Sequence, residues 1–238
     1  MPQSIVSDVQ FDLDSLNQQF ETAHPIEILR WSAQNIRVGL VQASAFNVDD
    51  LVITDILYRE LKQATPIIFL DTLFHFPETI DFVETATAHY RLNLKRYKTQ
   101  DANSRAEFAA KFGDELWNHD ILKFHNVTKI EPLNRALAEL NTVAWITGRR
   151  RDQANTRADM PIFERDSRGR LKINPIATWT RKEAWAYVFE HHVLYNPLHD
   201  RGYPSIGDEP ITTPVQAGED ERAGRWRGTG KTECGIHI

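Results

Sequence analysis

Alternation constrains this chain more than any other feature. Four short apolar runs, at residues 37–42 (RVGLVQ), 66–70 (PIIFL), 92–97 (LNLKRY) and 142–147 (TVAWIT), are separated by stretches of helical pattern at 48–61, 78–90, 104–120 and 127–140. Leu51, Ile53, Ile56, Leu57 and Leu61 supply one apolar helix face in the first of these stretches. Pro77 and Glu78 open the second, and Pro132 marks where the regular part of the last should begin. Strands of this length alternating with helices predict an α/β fold with a doubly wound parallel sheet. Helices at 12–20 and 25–35 precede it, the second with Pro25 in its first turn. Residues 161–165 and 171–173 are expected to pair as a hairpin. Helix 180–191 follows, with Thr180 and Glu183 spaced as a capping box. Residues 194–230 are irregular, with Pro197, Pro204, Pro210 and Pro214, and a stretch so long is not an idle loop. The chain thus divides into N-terminal helices (1–35), an α/β unit (36–193) and an irregular C-terminal segment (194–238).

Ligands of open α/β sheets sit beyond the carboxyl ends of the strands. After the first strand come Ser44, Ala45 and Phe46, small residues in a strand-turn-helix setting that aims backbone amides at a phosphate. After the second come Asp71 and Thr72. After the fourth comes Gly148-Arg-Arg-Arg-Asp-Gln153, with Arg157 beyond it. Guanidinium groups match phosphate and sulfate oxygens in pairs, so Arg150, Arg151 and Arg157, with Gln153 as a neutral donor, read as a polyanion clamp. The net charge of −5 argues against general nucleic-acid binding. An acidic chain with two local basic clusters suits a small polyanion.

The second basic cluster, Arg222, Arg225, Arg227 and Lys231, leads to Cys234, the single cysteine of 238 residues. A thiol in an electropositive segment near a chain end favours the thiolate, which makes Cys234 a candidate nucleophile on a flexible tail. One cysteine excludes an intramolecular disulfide framework and fits a reducing compartment. No signal-peptide pattern precedes Asp8, Asp12 and Asp14, and no apolar stretch reaches membrane-helix length, so a cytoplasmic protein is expected.

Three motifs together resemble the assimilatory phosphoadenylyl-sulfate (PAPS) reductases: the arginine motif with Arg157, Ser205-Ile-Gly-Asp208, and the terminal Lys231-Thr-Glu-Cys-Gly-Ile-His237. The likeness runs from about Arg37 to the C-terminus and includes 68–77 (IFLDTLFHFP) and 171–175 (LKINP). It implies an adenine-nucleotide α-hydrolase-like, Rossmann-like fold. Its loop after the first strand relaxes the Ser-Gly-Gly-x-Asp-Ser pattern of ATP pyrophosphatases, which counts against ATP cleavage. The resemblance further implies attack by Cys234 on the sulfo group of PAPS, sulfite release by thioredoxin or glutaredoxin, and a homodimer. Ser44 and the amides of Ala45 and Phe46 would cradle a phosphate, and Asp71 and Thr72 would meet the ribose or adenine edge. Arg225, Arg227 and Lys231 would add charge as the tail closes. The related adenylyl-sulfate (APS) reductases carry a four-cysteine iron–sulfur site. In this chain the positions of the two cysteine pairs read His125-Asn126 and Asp208 with Ile211, so a cluster built by this chain is impossible and PAPS is favoured. His125 and Asp208 are not expected to bind metal. A cluster-free APS reductase, an ATP-pyrophosphatase-type ligase or sulfurylase subunit, and a nucleotide-binding redox sensor are the alternatives.

Overall fold

The computed structural model of the chain describes residues 11–226 and Gly235. Its elements in chain order are α1 (Leu13–Phe20), α2 (Pro25–Asn35), β1 (Leu40–Ala43), α3 (Val48–Asp55), β2 (Ile67–Leu70), α4 (Pro77–Tyr90), β3 (Leu94–Tyr97), α5 (Arg105–Phe112), α6 (Leu116–His119), α7 (Ile121–His125), α8 (Glu131–Glu139), β4 (Ala144–Ile146), β5 (Phe163–Arg165), β6 (Leu171–Ile173) and α9 (Arg181–His191). The described strands form one sheet in the order β3-β2-β1-β4-β6-β5. All neighbours run parallel except β5, which pairs antiparallel with β6 as the expected hairpin. From β1 the chain winds outward through β2 and β3, then returns to place β4 on the other side of β1. The β1–β4 seam is therefore the topological switch point, where such sheets leave a crevice.

Successive residues of a strand face opposite sides of a sheet, and the core divides accordingly. Leu40, Ile67, Phe69, Ala144 and Ile146 join the main cluster with α1, α2, α3, α4 and α9. Val41, Ile68 and Trp145 face the other way, onto Leu133, Ala136 and Leu137 of α8. The N-terminal helices share the main core through Leu16, Phe20, Ile28 and Leu29. A third cluster lies beneath the C-terminal segment: Phe74, Phe108, Phe124, Ile211 and Trp226. Among the described residues no helix is long and apolar enough to cross a membrane.

One helical expectation changes. Residues 104–120 do not form one helix: Gly113, at φ +88°, ends α5, and α6 is a separate short turn. Pro132 marks the start of the regular helix as expected: α8 begins at Glu131 with the proline in its first turn. α7 runs through a π-type turn at Asn126–Ile130 directly into α8. Proline lacks the N–H that would close an α-turn there, and the hydrogen-bond register widens just before it. The Thr180–Glu183 capping box forms as the sequence indicates, with Thr180 N donating to Glu183 Oε2 at 2.6 Å and Glu183 N to Thr180 Oγ1 at 3.3 Å.

Candidate active site

A cleft opens at the carboxyl ends of β1, β2 and β4. The turn after β1 contributes Ser44 and Ala45, and the turn after β2 contributes Thr72 and His75. The turn after β4 contributes Gly148, Arg149, Arg150, Gln153 and Arg157. Lys129 enters from the π-type turn, Arg181 and Trp185 from α9, and Ser205, Glu221, Arg222, Arg225 and Trp226 from the C-terminal segment. Its cations outnumber its acids, Asp49, Asp50 and Glu221, so the cleft is suited to a polyanion.

The turn after β1 departs from expectation. Ala45 N donates to Asp50 Oδ2 at 2.8 Å and Phe46 N donates to Ser44 Oγ at 3.1 Å, so both amides expected to cradle phosphate have partners within the chain. Phe46 is not a cleft residue. At φ 57° its ring turns into the core, edge-on to Phe69 and Phe82 at 5.5 and 6.5 Å. Asp50 fills the place of an anion. Burial pushes its carboxyl up to about 7; the amides of Ala45, Asn47 and Gly148 oppose this, while neighbouring Asp49 adds to it. Gly148 is required by this contact, because a Cβ there would lie 2.4 Å from Asp50 Oδ1. The carboxylate thereby ties the β1 turn to the β4 turn.

The arginine motif splits into separate roles. Arg150 is almost fully buried and saturated: Nε donates to Asp49 at 2.7 Å, Nη1 pairs with Asp152, and Nη2 meets both oxygens of Glu221 at 3.1 and 3.0 Å. Burial works against its charge, but Asp49 and Glu221 more than restore it. Arg149 turns toward β5 and β6, onto Asn174 at 3.2 Å and onto Glu164. Gln153 bridges Asp49 (2.7 Å) and Arg157 (2.5 Å), holding Arg157 at the cleft. Arg151 is not brought to the site. Its guanidinium pairs with Glu21 at 2.5 and 2.9 Å and donates to Met160 O, on the outer side of the turn. Its backbone follows β4 as expected, but three consecutive side chains cannot all face one crevice.

At the end of β2, Thr72 lines the cleft while Asp71 does not; Asp71 caps its own turn, accepting from Leu73 N at 3.0 Å. His75 stacks on Phe69, with Nε2 2.8 Å from Leu70 O, and burial pulls its pKa down. Beside it lies a buried ion pair, Lys129 with Asp208. Burial opposes ionisation of Asp208, yet Lys129 and His75 hold its carboxyl far below the usual range. Lys129, Asp49, Asp50, Arg181 and Glu221 escape sequence reasoning, because none carries a local signal beyond ordinary helix or loop charge. Arg225 is the tail cation that reaches the cleft as expected, with Nη1 on Ser205 Oγ at 3.1 Å and Ile206 O at 3.2 Å. Trp226 is buried beneath it and donates to His125 Nε2 at 3.2 Å. Arg227, Lys231 and Cys234 lie outside the described residues. Gly235 lies against Ile130, the neighbour of Lys129.

The model of the phosphoadenosine phosphosulfate reductase domain matches residues 39–214. The chain belongs to that family. It is 44% identical over 229 residues to the phosphoadenosine phosphosulfate reductase of Emericella nidulans, covering 94% of this chain and 74% of that one. It is also 38% identical over 231 residues to the adenosine 5′-phosphosulfate reductase of Halalkalibacterium halodurans, covering 96% and 98%. A crystal structure of phosphoadenylyl-sulfate reductase from Candida auris, a phosphate complex, superposes with a TM-score of 0.78 at 39% identity over 84% of this chain and 96% of that one. FMN adenylyltransferase of Candida glabrata shares the fold at 16% identity, with a TM-score of 0.60 over 86% of this chain and 68% of that one. The family places the chain among sulfate-reducing oxidoreductases on a nucleotide-binding α/β scaffold.

Within this family member, the two regions where the iron–sulfur type places cysteines meet in space. His125 contacts Trp226, whose amide donates to Ile211 O at 2.9 Å, and Asp208 pairs with Lys129 one turn beyond His125. Protein side chains fill that corner. Among the described residues no group of three or more His, Cys, Asp or Glu converges as a metal site.

Proposed function

We propose that the chain reduces 3′-phosphoadenylyl sulfate to sulfite and adenosine 3′,5′-bisphosphate. The observation that carries this reading is the cation-lined cleft at the β1–β4 switch point, where Gly148, Gln153 and Arg157 converge with Ser44, Thr72, Lys129 and Arg225. Cys234 thiolate attacks the sulfo sulfur in line. The S–O bond to the 5′-phosphate breaks, the bisphosphate leaves with the electron pair, and Cys234 becomes an S-sulfocysteine. The barrier is electrostatic, since one anion approaches another, and preorganised cations offset it. Arg157, Lys129, Arg222 and Arg225 are placed to hold phosphate and sulfo oxygens.

The chain has no second cysteine to resolve the adduct. An external dithiol of the thioredoxin or glutaredoxin type therefore attacks the Cys234 sulfur and expels sulfite. Its second thiol then releases Cys234, leaving the reductant as a disulfide. A single cysteine that must cycle through its thiolate suits the reducing cytoplasm, and four-thiolate cluster chemistry has no ligands in this chain.

The test is sulfite release from PAPS and from APS with reduced thioredoxin. Faster turnover of PAPS is expected, and Cys234→Ser abolishes it. Without reductant, mass spectrometry finds one sulfo adduct, on Cys234. Equal or faster turnover of APS refutes the substrate assignment, and activity in Cys234→Ser refutes the mechanism.

A further inference from the structure

We propose that Arg150 and Arg181 form an anion subsite in the cleft, that Glu221 occupies it when no nucleotide is bound, and that a phosphate group of the nucleotide takes its place. The proposal rests on the reading of the cleft as a nucleotide site. Arg150 Nη2 meets both carboxylate oxygens of Glu221 at 3.1 and 3.0 Å, across 71 residues of sequence. The two side chains are 2% and 12% exposed. Arg181 Nε stands 3.9 Å from the same carboxylate. Arg181 is the first residue of α9, an 11-residue helix, and its amide donates to Asp152 Oδ2 at 2.8 Å. Two guanidinium groups therefore face one carboxylate, an arrangement that a phosphate group matches at least as well.

Glu221 is a poor permanent occupant. Arg150 already donates to Asp49 and Asp152, so with Glu221 three carboxylates surround one guanidinium. Burial raises the Glu221 pKa; Arg150 opposes the rise and Asp49 adds to it. An entering polyanion meets this carboxylate at the wall of the cleft and competes for the same donors. Glu221 directly precedes Arg222, so the exchange couples ligand entry to the segment that brings Arg222 and Arg225 to the cleft.

If Glu221 instead serves only to fasten the C-terminal segment, its loss must weaken ligand binding, so the sign of the effect discriminates. Calorimetric titration with adenosine 3′,5′-bisphosphate, on the full chain and on Glu221→Gln, Arg181→Gln and the double variant, provides the test. Glu221→Gln should bind the bisphosphate about tenfold more tightly, within the usual range of coupling between competing ligands. Arg181→Gln should bind it about tenfold more weakly, and the double variant should lose the gain. A parallel titration with AMP identifies the group seated: equal tightening assigns the 5′-phosphate, and tightening confined to the bisphosphate assigns the 3′-phosphate. Unchanged or weaker binding by Glu221→Gln overturns the proposal, as does unchanged binding by Arg181→Gln. Circular dichroism and the melting temperature of each variant confirm that a folded protein is titrated. Tightened binding without sulfite release from PAPS or APS leaves the subsite standing and refutes the reductase reading. Sulfite release without tightening does the reverse.

Discussion

Asp50 should make this protein less stable as pH rises through neutrality, and Asp50→Asn should remove that slope. The carboxyl is buried at the junction of the β1 and β4 turns and titrates at about 7, whereas an exposed aspartate titrates near 3.9. Between these values the folded chain holds a proton that the unfolded chain has released. The unfolded state then binds fewer protons, and unfolding free energy falls with increasing pH. The contribution is fully present below about pH 4 and is lost as pH rises through about 7. Each unit corresponds to about 1.4 kcal/mol, and the group is half-titrated at its folded pKa, so the loss between pH 5 and pH 7 is about 2 kcal/mol. Urea denaturation of the two proteins at pH 5, 6, 7 and 8 reads this directly. Asp49, also buried with its pKa raised, is present in both proteins and cancels in the difference. The asparagine side chain keeps a carbonyl oxygen for the Ala45 amide, so the variant folds but loses about 1 kcal/mol near pH 5 through its weaker acceptor. Its profile should be flatter than the parent's by about 1.4 kcal/mol per pH unit. Parallel profiles would refute the assignment of a neutral, proton-bearing Asp50 in the folded state.

The Lys129–Asp208 pair gives a second expectation. Asp208→Asn or Lys129→Met alone should each cost about 3–5 kcal/mol, because each leaves a buried charge without its partner. The double variant should cost less than the sum of the two, as read by a urea double-mutant cycle. Because the Asp208 pKa is depressed, its contribution is present above about pH 4 and is lost as pH falls below that, the opposite sign to Asp50. Gly148→Ala should cost about 1–3 kcal/mol through overpacking, since its Cβ would meet Asp50 Oδ1 at 2.4 Å, and should weaken bisphosphate binding in the same titration. Arg157→Ala should lose about 1.5–3 kcal/mol of that binding, whereas Arg151→Ala, whose side chain pairs with Glu21, should leave it within about twofold.

Hydrophobic periodicity and end signals were enough to read the parallel sheet, the β5–β6 hairpin and the α9 capping box, because each depends on contacts a few residues apart or on a repeating pattern along one element. The same local logic put Ser44, Thr72, Gly148, Gln153, Arg157 and Arg225 at strand ends or in the basic tail, and the fold brings them to one cleft. Which way a side chain turns from such a position is decided by partners distant in the chain. Arg151 goes to Glu21 and Arg150 to Asp49 and Glu221; Phe46 enters the core against Phe69 and Phe82. Asp50 likewise takes the Ala45 amide, and Ser44 the Phe46 amide, that the motif reserved for a phosphate. The order β3-β2-β1-β4-β6-β5 creates those encounters by setting β1 beside β4, about a hundred residues apart in sequence. The sequence by itself thus determined the family, the layered fold and the lone thiol. Only the tertiary structure decided which charges face the cleft and which neutralise one another, because burial and pairing are properties of what surrounds a residue in space.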